Sequence, residues 1–280
     1  MSPQPNFFVI GAPKAATTDI CRTLSRHPDI FMSRPKELFY FSALSVRPLS
    51  WDNYLRHFAD ATGQQAIGEG STNYSLRGVF PGVPQRIAER LPEARIIYAV
   101  REPISRIESH WMESRKHGLS LPDIDQALRE DASLIEGSRY WYQLEAYLAC
   151  FPAAQIKVVF YEDYCQDSAA VIRSLFDFLG VREHSPDIEP GRAVNASVGA
   201  LIDAPLTSRL RGLLSRRLRR RISGSMPALL RRWLQPLLKQ RLDVRRSLSP
   251  ASREWALNQL REDALRLLHY CGRPPATWQL

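Results

Sequence analysis

The 280 residues and net charge of +9 fit one large α/β domain with a well-buried core and a preference for anionic ligands. The four cysteines, Cys21, Cys150, Cys165 and Cys271, show neither metal-ligand spacing nor a paired disulfide framework, so reduced, mostly buried thiols are expected. The segment 1–6 lacks a basic n-region and the apolar run after it is too short for a signal peptide or a membrane span, which predicts a cytoplasmic protein. No internal repeat and no Gly/Ser-rich linker divides the chain. The expected organisation is one domain over 1–280, with 205–248 as a basic helical insertion and 249–280 as a C-terminal helix and tail.

The run Phe7-Phe8-Val9-Ile10 predicts a strand buried on both faces. It leads through a small-residue turn, 11–16, into a helix opened by Thr17 and Thr18. Small residues such as Ala15 and Ala16 let the backbone approach an anion; the N–H groups of a helix start point at it and the helix dipole favours negative charge there. Lys14 adds a full positive charge and the threonine hydroxyls add donors. Lys14, Ala15, Ala16, Thr17 and Thr18 therefore form a phosphate-sized cradle. The lysine stands three residues after Gly11 and before the small residues, which is not the nucleotide-triphosphate loop spacing. The plainer alternative is a strand-to-helix turn with a stray lysine.

A short strand is expected at 30–32, followed by Arg34-Pro35-Lys36-Glu37-Leu38-Phe39-Tyr40-Phe41. Glu37, between two cations and a cluster of rings, has the chemistry of a base for an acceptor hydroxyl; otherwise it belongs to a charged turn before a core strand. Helical spacing covers 51–58. A third strand at 65–67 runs into a polar loop holding Ser71, Thr72 and Tyr74. After a helix at 83–91, the strand 95–100 ends in Arg101-Glu102-Pro103. Proline suits the first turn of a helix, so Arg101 falls at the strand's C-terminal end and Ser109 about two turns into the helix. Both can face the crevice in which open parallel sheets bind ligands, and an arginine fork with a serine hydroxyl suits a phosphate monoester.

Helices follow at 121–129 and 139–151, a strand at 155–161, and a helix at 168–179 closed by Gly180. Arg192 sits in a polar loop, 191–197. From 206 to 242 the chain is rich in Arg and Leu, read either as a pair of solvated helices, or as a site for an anionic acceptor such as a polysaccharide, or as an amphipathic surface on acidic lipid. Interleaved aromatics are too few for a nucleic-acid interface. The helix 253–269 is capped from Ser249-Pro250-Ala251-Ser252 and stops at Gly272.

Two of these stretches together resemble the sulfotransferases that use 3′-phosphoadenosine 5′-phosphosulfate (PAPS). Pro13-Lys14-Ala15-Ala16-Thr17-Thr18 is similar to their 5′-phosphosulfate loop, and Arg101-Glu102-Pro103 with Ser109 to their 3′-phosphate motif. Lys36-Glu37 before Tyr40-Phe41 resembles the heparan sulfate type, in which that glutamate is the catalytic base; Phe39 stands where a polar residue is common. Ser71, Thr72 and Tyr74 match the Glu-Lys-Thr/Ser-x-x-Tyr segment of the acceptor cleft, although Gly70 replaces its lysine. Arg192 matches the loop that closes over the 3′-phosphate.

The resemblance implies a three-layer α/β/α fold with a central parallel sheet, and an O-sulfotransferase acting without a metal on a hydroxyl of a glycan, glycolipid or other small acceptor. In it Glu37 and Lys14 are catalytic; Lys14, Ala15, Ala16, Thr17, Thr18, Arg101, Ser109 and Arg192 bind PAPS; Lys36, Ser71, Thr72 and Tyr74 meet the acceptor. His110 and His117 are alternative bases. Two other classes compete: a nucleoside or small-molecule kinase, and a noncatalytic basic protein of the membrane surface.

Overall fold

The first apolar run forms β1 (Phe7–Gly11), all five residues of which are buried. In the computed structural model, which describes residues 3–44, 46–116, 123–182, 201–203, 239–241 and 247–280, β1 is the central strand of a parallel sheet. The order is β2 (Ile30–Met32), β3 (Ala66–Gly70), β1, β4 (Arg95–Val100), β5 (Ile156–Phe160). Phe7 registers with Gly68 on one side and Arg95 on the other. The chain leaves β1 toward β3 and β2 and returns to its other side as β4, so strand order reverses at β1. Ligands of open parallel sheets bind at the carboxyl ends of strands at such a reversal, and the strands meeting there carry the two motifs.

Eleven described helices flank or extend the sheet: α1 (Thr17–Leu24), α2 (Tyr40–Ala43), α3 (Trp51–Leu55), α4 (Val83–Arg90), α5 (Pro103–Lys116), α6 (Ile124–Glu130), α7 (Ala132–Glu136), α8 (Tyr140–Leu148), α9 (Tyr161–Gln166), α10 (Ser168–Leu179) and α11 (Pro250–Tyr270). Helix α1 packs on β1 and β3 and against α10, while α8 packs against α4 and α11. Ile107 and Trp111 of α5, Leu128 of α6 and Leu260 of α11 belong to a second apolar cluster beside the main core. Helix α11 also caps α8, which has no side-chain cap of its own: Asp263 accepts from the N–H groups of Trp141 at 2.9 Å and Tyr142 at 2.8 Å. Burial pushes its carboxyl up to about 6.

The α/β class, the parallel core strands, the Gly180 cap at φ 73° and the Ser249 cap of the last helix agree with the sequence expectations. Several local expectations do not hold. Residues 40–43 form a helical turn and not a core strand, because Phe39 takes a left-handed conformation at φ 57°. Helix α7 was not expected; it is one turn long and exists through its cap, Asp131, which accepts from Ser133 N at 3.0 Å. Within the expected basic helical insertion, β7 (Lys239–Arg241) is a strand antiparallel to β6 (Leu201–Asp203), so these three residues are paired across a ladder and not helical. Of the cysteines only Cys21 is fully buried and Cys165 is exposed, so "mostly buried" is corrected. Arg192, His117 and most of the Arg-rich stretch lie outside the described residues. No described helix is long and apolar enough to cross a membrane.

Candidate active site

The turn after β1 is shaped by two constraints. Gly11 sits at φ 147° and a Cβ there would lie 1.9 Å from Ser75 Oγ, so no side chain fits. Lys14 and Ala16 then adopt left-handed conformations at φ 73° and 61°, which non-glycine residues rarely hold away from functional sites. Ala16 is the N-cap of α1 and makes no side-chain cap, leaving the helix's first N–H groups without the acceptor a Ser or Asp would bring. Ala15 is buried behind the loop, Thr17 is buried and Thr18 is exposed. The Lys14 ammonium is half-buried and donates to Glu113 Oε2 at 3.2 Å.

The second motif meets the first directly: Arg101 Nη1 donates to the Lys14 carbonyl at 3.2 Å, and its guanidinium lies 4.3 Å from the centroid of the Tyr161 ring. Here the helix start is not available. Glu102 turns its carboxylate onto the N–H groups of Ile104 at 3.2 Å and Ser105 at 2.6 Å, capping α5 itself. An anion near this motif must be held by side chains, and Arg101 and Ser109 on α5 are suited to it.

The motif is backed by the end of the chain. Glu102 N donates to Glu162 Oε1 at 2.7 Å, and Glu162 Oε2 accepts from Trp278 Nε1 at 3.3 Å; Arg273 pairs with Asp163. Glu162 and Asp163 thus brace the motif from behind.

Glu37 lies in a third cluster. Its Oε2 accepts from Thr72 N at 2.9 Å and Thr72 Oγ1 at 2.8 Å, and its Oε1 from Lys36 Nζ at 2.9 Å. An ionised carboxylate has about four acceptor positions, so Oε2 is filled and Oε1 keeps one position open. The cluster leans on α1: a Cβ at Gly70 would lie 2.6 Å from Cys21 Sγ and 3.1 Å from Lys36 Cε. Cys21 is one turn beyond Thr17, on the same helix face, which sets Glu37 beside the cradle. Cys21 itself is no nucleophile, since burial pushes its thiol up to about 12.

The same measurement explains the missing lysine at position 70. Cys21 Sγ, with the stem of Lys36 beside it, occupies the space a side chain there would need. Gly70→Ala is expected to cost about 1–3 kcal/mol by overpacking, read as a fall in denaturation midpoint, and Cys21→Ala in the same chain is expected to relieve part of it.

Of the residues expected at the acceptor cleft, Thr72 and Lys36 reach Glu37. Ser71 and Tyr74 do not face outward: they are 0% and 2% exposed, and their hydroxyls donate to the buried Glu69 at 2.5 and 2.7 Å. His110 is unsuited to be the base. Its Nδ1 accepts from Arg106 Nη1 at 3.0 Å, and burial, then the Arg106 charge, pull it down to about 4. Sequence reading missed Glu113, though it stands four residues after Ser109 and so on the same face of α5. It also missed Arg106, buried and held by Ser138 Oγ at 2.6 Å and the Leu134 carbonyl, for which an isolated arginine gives no signal.

Comparison with known proteins agrees with the motifs. A family model described as "Sulfotransferase family" matches residues 83–185. The chain is 30% identical over 141 residues to the membrane-associated sulfotransferase kil1 of Dictyostelium discoideum, covering 47% of this chain and 29% of that protein. It is 27% identical over 205 residues to bifunctional heparan sulfate N-deacetylase/N-sulfotransferase 3 of Mus musculus, covering 64% and 23%. To heparan sulfate glucosamine 3-O-sulfotransferase 3B1 of Mus musculus it is 26% identical over 187 residues, covering 64% and 46%. The chain thus spans less than half the length of these relatives. Its fold is that of a crystallised sulfotransferase from Alicyclobacillus acidocaldarius, with a TM-score of 0.72 at 23% identity over 99% of this chain and 100% of that one. The resemblance to sulfotransferases read from the motifs is borne out.

Proposed function

We propose that this sulfotransferase-like chain is a PAPS-dependent O-sulfotransferase acting on a hydroxyl of a glycan, glycolipid or other small acceptor. The observation that carries the reading is the contact of Arg101 with the Lys14 carbonyl at 3.2 Å, which brings an uncapped helix start and an arginine fork into one crevice. These residues fit a nucleotide with two separated anionic groups. The N–H groups of α1, Lys14, Thr17 and Thr18 would hold the 5′ end, and Arg101 with Ser109 the 3′-phosphate. Arg192 is assigned to the same phosphate on the resemblance alone. PAPS, when bound, supplies the sulfuryl group.

The chain's own residues then do the rest. Glu37, fixed by Thr72 and Lys36, takes the acceptor hydroxyl's proton at the open position on Oε1. Lys14 would hold positive charge against the leaving phosphate's oxygen, on which negative charge grows as its bond to sulfur breaks. Preorganised donors of this kind supply the largest share of such rate enhancements. The heparan sulfate names of the relatives favour a glycan acceptor.

Calorimetric titration with adenosine 3′,5′-bisphosphate, beside ATP with magnesium, tests the reading. The bisphosphate is expected to bind, and Arg101→Ala to weaken it roughly tenfold to a hundredfold, the worth of a hydrogen bond to a charged group. Binding of ATP with magnesium and not of the bisphosphate would point to the kinase class instead.

A further inference from the structure

Behind Glu37 lies a second carboxylate that the reaction above does not use. Glu69, at the end of β3, is 0% exposed, and among the described residues its side-chain hydrogen bonds come from neutral hydroxyls. Three hydroxyls satisfy it: Ser71 Oγ at 2.5 Å and Tyr74 Oη at 2.7 Å on Oε1, and Tyr54 Oη at 2.5 Å on Oε2. A hydroxyl has one proton to give. Because Ser71 and Tyr74 spend theirs on Glu69, their oxygens face the other way as acceptors, and each receives a backbone N–H from the loop that carries Glu37. Phe39 N donates to Ser71 Oγ at 3.0 Å and Phe41 N to Tyr74 Oη at 3.2 Å. Thr72, which holds Glu37, stands between the two hydroxyl residues. Phe39 is left-handed, so the loop needs an outside hold to keep that conformation.

We infer that Glu69 is a positioning residue: by fixing the direction of the Ser71 and Tyr74 hydroxyls it pins the 37–41 loop at two amides and so sets Glu37 and Thr72 in register with the cradle. Glutamine is nearly the same size but offers one oxygen in place of two, so it cannot accept from Ser71, Tyr74 and Tyr54 together. Either Tyr54 loses its acceptor or the two loop-holding hydroxyls meet an N–H donor. Ser71→Ala cuts one link and leaves Glu69 with two donors.

This inference rests on the reading of Glu37 as the base, and the test separates the two. Amide hydrogen exchange is followed at Phe39 and Phe41 in the native chain, Glu69→Gln, Ser71→Ala and the double variant. In parallel, bisphosphate affinity is measured, together with the rate of sulfate release from saturating PAPS, water standing in for the acceptor. The expected result is faster exchange at those two amides with no change in β1, unchanged bisphosphate affinity, and a fall in kcat toward 10²-fold, the scale of a small misplacement of a reacting group. The double variant is expected to fall no further than the worse single one, since both break one chain of bonds. Native-like exchange at Phe39 and Phe41 in Ser71→Ala overturns the inference, even if Glu69→Gln fails to fold. So does faster exchange with an unaltered kcat per folded molecule. Failure of the native chain to bind bisphosphate would refute the sulfotransferase reading, while the exchange comparison would still decide whether Glu69 holds the loop.

Discussion

Replacing Lys14 with alanine is expected to lower sulfuryl transfer by about 10²–10³, the usual cost of removing one well-placed donor to developing charge. The loop should survive the change. Its shape is set by Gly11, by the left-handed residues and by the grip of Arg101 on the Lys14 carbonyl, none of which involves the lysine side chain. Bisphosphate binding is therefore expected to weaken less than the rate falls.

Part of that weakening has an identifiable source. With the ammonium gone, the Glu113 carboxylate, 3.2 Å from it in the native chain, no longer has that positive charge beside it where an anion must sit. Adding Glu113→Gln to Lys14→Ala should restore affinity and leave the rate low. Steady-state kcat beside calorimetric affinity separates the two effects, and a Lys14→Ala enzyme with native kcat would remove the lysine from the chemistry.

The second large effect is expected at Glu37. Glutamine keeps the shape and lets one oxygen accept both donors of Thr72, but it turns an N–H₂ toward Lys36 and has no lone pair left to receive a proton. Loss of a general base typically costs about 10²–10⁴, with bisphosphate affinity preserved because the cradle is untouched. His110 supplies the control. His110→Asn keeps an acceptor for Arg106, so sulfuryl transfer should persist; the histidine is neutral above about 4 and contributes no ionisation between pH 5 and 8. Retained turnover in Glu37→Gln together with loss in His110→Asn would reverse the assignment.

The sheet and the two strand-to-helix turns at its carboxyl edge were legible because each signal is local. A continuous apolar run marks a strand buried on both faces, and Pro103 marks a helix start. That Arg101 touches Lys14 was not legible: the fold class puts both at the carboxyl ends of parallel strands, and it is the strand order, with β4 beside β1, that brings them into contact. Contacts made across the sheet were not legible. Ser71 and Tyr74 look like cleft residues in the chain and turn out to serve a buried carboxylate, because Glu69 ends a strand whose final residues are buried. Glu113 could have been found from its spacing to Ser109. Arg106 could not, because only His110 is a neighbour on its own helix, while the Leu134 carbonyl and Ser138 Oγ lie 28 and 32 residues further on. The glycine at position 70 looked like a departure from a pattern; its cause, the Cys21 sulfur with the stem of Lys36 beside it, lies 49 and 34 residues earlier in the chain.

The tie from Trp278 to Glu162, 116 residues apart in the chain, bears on the order in which the crevice can be completed. Domains form from the N-terminal end during synthesis, at about 5–20 residues per second. The turn after β1 emerges early and its neighbours β3 and β4 soon after, so the 5′ half of the crevice can assemble from nearby segments. Arg101 leaves the ribosome long before the residues that brace Glu102 from behind, and that half must wait for α11 and the tail to dock. Contacts of such long sequence separation are slow to close. The two ends of one nucleotide would thus meet surfaces of different age, the first built from adjacent strands and the second finished only when a residue 116 positions beyond Glu162 has docked.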